Sequence, residues 1–281
     1  MSANLACQTA RRRALTVGGV RLHALEWGAS GRPAICFLHG GAAHAHWFDA
    51  VAGAFADRFH VVSLDQRGHG ESAWVTPPAY GTEHFAGDLL GALDALGWER
   101  ATLVGHSMGG HNAMTFAAWH PTRVERLVIV DSRPAIPPDR LETMHARGRR
   151  PRRVHATRDA AIASFRLLPR ETVADPALMA HLAAEAIARR DGGWALRFDP
   201  ETSAARRPVD AWPLLPKIAA PTLIVRGELS PILPPPMAAD MLRLIPDARL
   251  VEIPGAYHHL VLDRPGEFVA ALEGFLSGGG W

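Results

Sequence analysis

The sequence predicts an α/β fold: a mainly parallel, twisted sheet with helices on both faces and a helical cap inserted after the sixth strand. Three observations carry that reading. Between Pro33 and Val130 short β-rich runs alternate with helical patterns, the rhythm of parallel strands joined by crossover helices. From Ser132 to about Trp212 the strand signals vanish. The α/β rhythm then returns at Pro221 and continues to a last helical pattern ending near residue 276.

Composition bounds the function before any motif is considered. A chain of 281 residues can bury a substantial core, and 48% apolar with 21% charged residues is ordinary globular usage. The formal charge of +2 is too small for a nucleic-acid field, although Lys217 is the only lysine and the other basic residues are arginines. Nowhere do 18 apolar residues run together, so no membrane span is expected. The basic cluster Arg11–Arg13 is followed by a run too short and too glycine-rich for a signal peptide, and a cytoplasmic location is expected. Cys7 lies in a polar arm and Cys36 inside the apolar run AICFL, so a disulfide is not expected.

Taken in order, ALTVGGVRLHALEW (14–27) is two alternating runs joined at Gly18-Gly19, a hairpin signal. AICFL, HVVSL, ATLVG and RLVIV supply strands three to six, with helical patterns near 46–56, 82–97 and 108–119 between them. Residues 133–211 are rich in Arg and Ala and broken by eight prolines, from Pro134 to Pro208. They are expected to form the helical cap, with 1–132 and 212–281 as the core. PTLIVRG (221–227) is strand seven, a helix follows near 235–245, ARLVEI (248–253) is strand eight, and a helix over 265–276 closes the fold. The tail SGGGW is expected to fray.

The chemistry centres on Gly105-His106-Ser107-Met108-Gly109, which falls between strand five and a helix. A serine hydroxyl is a poor nucleophile unless it is held in the open beside a base, and a sharp strand-to-helix turn provides the exposure. A plain helix-capping serine is the simpler alternative. The ordered motifs LHGG (38–41), DQRGHGES (65–72), GHSMGG (105–110), PTLIVRG and HHLVLDRP (258–265) resemble those of the α/β-hydrolase superfamily over nearly the whole chain.

That resemblance implies further roles. Ser107 would be the nucleophile and His258 the base, five residues before Asp263, with His259 lining or buttressing the pocket. Asp263 is expected to cap the last helix. The oxyanion donors would be the backbone N–H groups of Gly41 and Met108. DQRGHGES is expected to support the loop rather than to react. The acid position three residues past Gly227 is Ser230, which cannot supply negative charge. Two acids remain: Asp131, at the end of strand six, is preferred, and Glu228 is the alternative.

The cap and the loop after strand three should select the substrate. Trp47, Phe165 and Trp194, with Phe48, Met108, Leu168 and Phe198, are candidates for an apolar pocket, and His44 and His46 could meet a polar group. The arginines 147, 149, 150, 152 and 153 read either as a solvated face or as a site for an anion. Neither cofactor nor metal is implied, since no carboxylate or cysteine spacing supports the paired histidines as ligands. The expected activity is hydrolysis of a carboxylic ester or lactone on a small molecule with an apolar portion. Carbon–carbon cleavage of a vinylogous diketone, or ligand binding with little turnover, are the alternatives.

Overall fold

The computed structural model describes residues 10–278; Cys7 and the tail residues Gly279 to Trp281 lie outside them. Its centre is a sheet of eight strands: β1 (Arg11–Val17), β2 (Val20–Trp27), β3 (Ala34–Leu38), β4 (His60–Asp65), β5 (Ala101–His106), β6 (Val124–Val130), β7 (Thr222–Gly227) and β8 (Ala248–Ile253). The spatial order is β1-β2-β4-β3-β5-β6-β7-β8. The β1–β2 and β2–β4 pairs are antiparallel and all the others are parallel.

Alternation along each strand divides the core between the two faces of the sheet. Ile35 and Phe37 face one side together with Val128 and Val130, under Phe48, Val51, Phe268 and Leu272. Cys36 and Leu38 face the other with Leu127 and Ile129, beneath Leu89, Met114 and Met241. These last three come from α1 (Thr82–Ala95), α2 (Met108–Trp119) and α6 (Pro235–Leu244). Cys36 serves as a small buried hydrophobe, and burial pushes its thiol up to about 12.

The segment between β6 and β7 carries α3 (Pro138–Gly148), α4 (Arg158–Ala163) and α5 (Pro176–Glu185). It is not purely helical, contrary to the sequence expectation: Ile187–Arg190 and Gly193–Leu196 form an antiparallel hairpin, and Arg206–Arg207 pairs with Tyr80–Gly81. The hairpin turn is Asp191-Gly192, with both residues at positive φ, a two-residue turn chemistry that favours tight hairpins.

Nor is the insertion a separate layer. Phe165, Leu167 and Leu182 belong to the same apolar cluster as Trp47, Phe48 and Leu260 of the core. Polar ties reinforce the contact. Tyr80 donates its hydroxyl to Asp199 at 2.6 Å, and His44 meets the Leu182 carbonyl at 3.2 Å. Asp263 corrects another expectation: Arg264, not Asp263, occupies the N-cap of α7 (Pro265–Leu276). One oxygen of Asp263 accepts from Thr172 Oγ1 (2.5 Å) and the Val173 N–H (3.0 Å) of the insertion. Its other oxygen accepts from the Tyr257 N–H at 2.8 Å.

Because Leu182 is fully buried at this shared seam, Leu182→Ala is expected to destabilise the whole chain by about 2–5 kcal/mol. Urea unfolding should show one cooperative transition at a lower midpoint. An early, separate transition for the insertion would contradict the shared core.

Candidate active site

Ser107 sits in the turn from β5 to α2 with φ 53° and ψ −115°, a conformation that non-glycine residues rarely adopt and that costs about 1–3 kcal/mol. The flanking glycines make the turn possible. A Cβ on Gly109 would run into the Leu38 carbonyl of β3, and one on Gly105 into the backbone of Gly109. The turn is pinned by the Ser107 N–H to the Val130 carbonyl at 3.0 Å and by Ser132 Oγ to the Ser107 carbonyl at 2.6 Å.

His258 lies in the loop after β8, with Nε2 3.1 Å from Ser107 Oγ and Nδ1 2.6 Å from Asp131 Oδ2. Asp131 is the residue after β6; its N–H donates to the Val225 carbonyl at 2.7 Å, which fixes it against β7. Ser230 Oγ donates to Asp131 Oδ2 at 2.5 Å and the Gly227 N–H to Oδ1 at 3.4 Å. Ser230, at the position where the resemblance places an acid, therefore supplies a hydrogen bond to Asp131 instead. Glu228 is turned away: exposed, it accepts from the Gly255 N–H at 2.7 Å.

Burial opposes charge on both partners. It pushes the Asp131 carboxyl up to about 7, against the hydrogen bonds from Ser230 and Gly227, which draw it down. Burial, with His259 and Arg133 nearby, holds His258 well below its ordinary value. Burial thus favours the neutral imidazole, and the geometry suits the tautomer with Nδ1–H toward Asp131 and the Nε2 lone pair toward Ser107. All three donors around Asp131 favour its ionised form.

Two histidines that lie within the LHGG and GHSMGG motifs, with no role assigned to them there, brace the site. His106, just before Ser107, donates Nε2–H to the His258 carbonyl at 2.9 Å and so holds the His258 loop from beneath. His39 donates Nδ1–H to the Gly40 carbonyl at 2.7 Å and accepts from the Gln66 N–H at 3.1 Å, bracing the turn that carries Gly41. Asp65 accepts from His23, the Ala45 N–H and the Glu71 N–H, a structural part for the DQRGHGES loop.

Gly41 and Met108 line the cavity around Ser107; Met108 is the first residue of α2, so its N–H has no acceptor within the helix. That cavity, of about 710 Å³, is bounded by Ser107 and His258 below and by α3 and residues 196–206 above. A side chamber of about 40 Å³ brings Trp47, Phe165 and His259 next to Ser107, with Trp47 and His259 edge to face at 5.8 Å. Met108, Leu168 and Phe198 line the main cavity.

Four expected pocket residues are corrected. Trp194 lines neither cavity; it stands on the insertion hairpin, its backbone paired with His155, because strand pairing there turns it away. Phe48 is spent in the core against Phe37 at 4.7 Å. His44 and His46 are occupied by the Leu182 carbonyl and by Asp49.

Two groups of possible metal ligands occur among the described residues: His106, His258 and His259, and His46, Asp49 and His181. In the first, His258 commits both ring nitrogens, while His106 and His259 direct Nε2 to the carbonyls of His258 and Pro169. In the second, Asp49 Oδ2 accepts from both imidazoles, tying α5 to the loop after β3.

Residues 33–265 match the model of the alpha/beta hydrolase fold family. A 2-(acetamidomethylene)succinate hydrolase from Mesorhizobium japonicum is 29% identical over 99% of each chain. The crystal structure of an E-2-(acetamidomethylene)succinate hydrolase superposes with a TM-score of 0.83 at 28% identity, covering 95% of this chain and 99% of that one. An sn-1-specific diacylglycerol lipase from Mus musculus is 30% identical over 87% of this chain and 81% of its own. The enol-lactonase from Burkholderia xenovorans LB400 gives a TM-score of 0.77 at 26% identity, covering 94% and 100%.

Ser230 provides a pH test of this geometry. Its hydroxyl favours the charged carboxylate, so Ser230→Ala should raise the Asp131 pKa by about one unit or less. If fluorophosphonate labelling of Ser107 requires ionised Asp131 and neutral His258, its loss on the acid side should move to higher pH in the variant. An unmoved profile would show that the Ser230 bond does not tune the acid.

Proposed function

The chain belongs to the α/β-hydrolase fold family, and on that premise we propose that it is a serine hydrolase that cleaves a carboxylic ester or lactone through an acyl-enzyme. The hydrogen-bonded line Ser107–His258–Asp131, at 3.1 and 2.6 Å, is the observation that carries the reading. Ser107 Oγ attacks the substrate carbonyl while His258 Nε2 takes its proton. Asp131 holds the imidazole in the productive tautomer and stabilises the imidazolium as it forms. The Gly41 and Met108 N–H groups receive the oxyanion; fixed donors stabilise it without the reorganisation that water would need. Collapse of the adduct expels the alcohol, which takes the proton from His258. Water then enters by the same path in reverse and releases the acid.

The insertion, residues 133–211, walls the cavity and is assigned substrate selection; Trp47, Phe165 and His259 border the reacting carbonyl. A binding-only role gained support from the missing acid after β7. The Asp131–His258 hydrogen bond removes that support.

Ser107→Ala should abolish turnover of 4-nitrophenyl esters in a protein that remains folded. Asp131→Asn should lower kcat by up to about four orders of magnitude through the wrong imidazole tautomer. Glu228→Gln, altering a group hydrogen-bonded only to a surface turn, should leave kcat within a few-fold. The variants are compared on one activated ester, with circular dichroism to confirm folding. Near-normal kcat in Asp131→Asn would refute the acid assignment.

A further inference from the structure

The main cavity is far from neutral. Seven of its 28 lining residues are arginines, and none is Asp or Glu. The whole chain carries nearly balanced charge, 30 basic against 28 acidic residues, so this segregation belongs to the cavity rather than to the composition.

The cations are also poorly matched by the protein itself. Among the described residues, Arg152 has Asp191 as a partner, whereas Arg133, Arg140, Arg147, Arg150, Arg153 and Arg206 make no ion pair. Arg206 is fully buried; its hydrogen bonds go to neutral oxygens, Asn112 Oδ1 at 2.9 Å and the Tyr80 carbonyl at 3.4 Å, and its guanidinium lies over the Phe85 ring at 4.9 Å. Desolvation lowers it to about 10. Arg133 is two residues past Asp131, half-buried, and directs one nitrogen to the Ile232 carbonyl at 2.7 Å. Arg140 is near enough to repel it while Asp131 attracts it, and Arg133 in turn acts on His258. Like charges gathered at a concave, partly apolar surface repel one another unless an anion lies between them.

We propose that the cavity takes a substrate bearing a carboxylate away from the scissile bond, held by Arg133 and Arg140, with Arg147 at the mouth. Guanidinium groups fit carboxylates through paired hydrogen bonds, and the carboxylate neutralises the cluster while the reacting carbonyl lies over Ser107. The apolar lining residues Ile136, Met144 and Phe198 suit a short hydrocarbon chain between the two ends. This inference rests on the hydrolase reading for its location. The rim arginines also concentrate anionic substrate at the entrance, an effect that salt screens.

The test pairs the 4-nitrophenyl half-ester of adipic acid with 4-nitrophenyl hexanoate, its neutral counterpart of equal chain length. At low ionic strength kcat/KM for the charged ester should exceed that for the neutral one by about ten-fold or more, a charge-assisted contact being worth at least that. The ratio should fall with added salt and in Arg133→Gln. It should also fall in Arg140→Gln/Arg147→Gln, whose side chains are exposed and make no ion pair among the described residues, with circular dichroism to confirm folding. In parallel, calorimetry follows binding of adipate to Ser107→Ala, which reads the anion site without turnover.

A ratio near one, indifferent to salt and to the arginines, with no adipate binding, would overturn the proposal while ester turnover kept the hydrolase reading. Failure of both esters and of fluorophosphonate labelling would instead end the hydrolase reading. Adipate binding weakened by the arginine substitutions would still sustain the anion site, and its absence would end that too. Tight binding of inorganic phosphate with none of adipate would overturn the carboxylate assignment.

Discussion

The site depends on one carboxylate, Asp131, held with no exposure to solvent. An isolated buried charge is costly enough to neutralise itself, so its surroundings decide whether it can act. Here Ser230, the Gly227 N–H and His258 all donate to it. The residue at the usual acid position has thus become a donor to an acid on the neighbouring strand. From the end of β6 the carboxylate reaches His258 Nδ1 at 2.6 Å.

Much of this was legible in the sequence because it is periodic or sterically compulsory. The strands alternate between two faces, and the glycines at 105 and 109 stand where a side chain would strike backbone. Asp131 could be singled out by its place after β6, but only the fold shows it against His258 while Glu228 bonds a surface turn. His106 and Ser230 were not legible as supports, since their partners lie 152 and 99 residues away in the chain. The hairpin in the insertion had a signal in Asp191-Gly192, masked by arginines on one side and by strands only four residues long. Trp194 looked like a pocket residue because it is large and apolar; its direction is set by pairing with His155, which no local pattern reveals.

The insertion and the core meet in a polar line as well as in an apolar seam. Arg206 donates to Asn112 on the nucleophile helix, Asn112 to Gln66 at 2.8 Å, and Gln66 to the His39 carbonyl at 2.7 Å, beside the turn that carries Gly41. One continuous set of hydrogen bonds therefore joins a buried cation of the cavity wall to the turn that carries Gly41. Such a chain orients each amide unambiguously, because every acceptor has its own donor.

The peptide links around the serine also set how the site can deform. Ser107 and Asp131 are locked to adjacent strands, through the Val130 and Val225 carbonyls, and share the rigidity of the sheet. His258 alone arrives on a loop. The triangle thus has two fixed vertices and one adjustable one, and its fit is governed by a single short stretch of backbone. That stretch is stapled by His106 from the nucleophile turn and by Asp263, whose second oxygen grips Thr172 of the insertion. The stretch that carries His258 is therefore tied on one side to the strand-to-helix turn and on the other, through Asp263, to the insertion, so the two parts of the chain share the placing of a single imidazole.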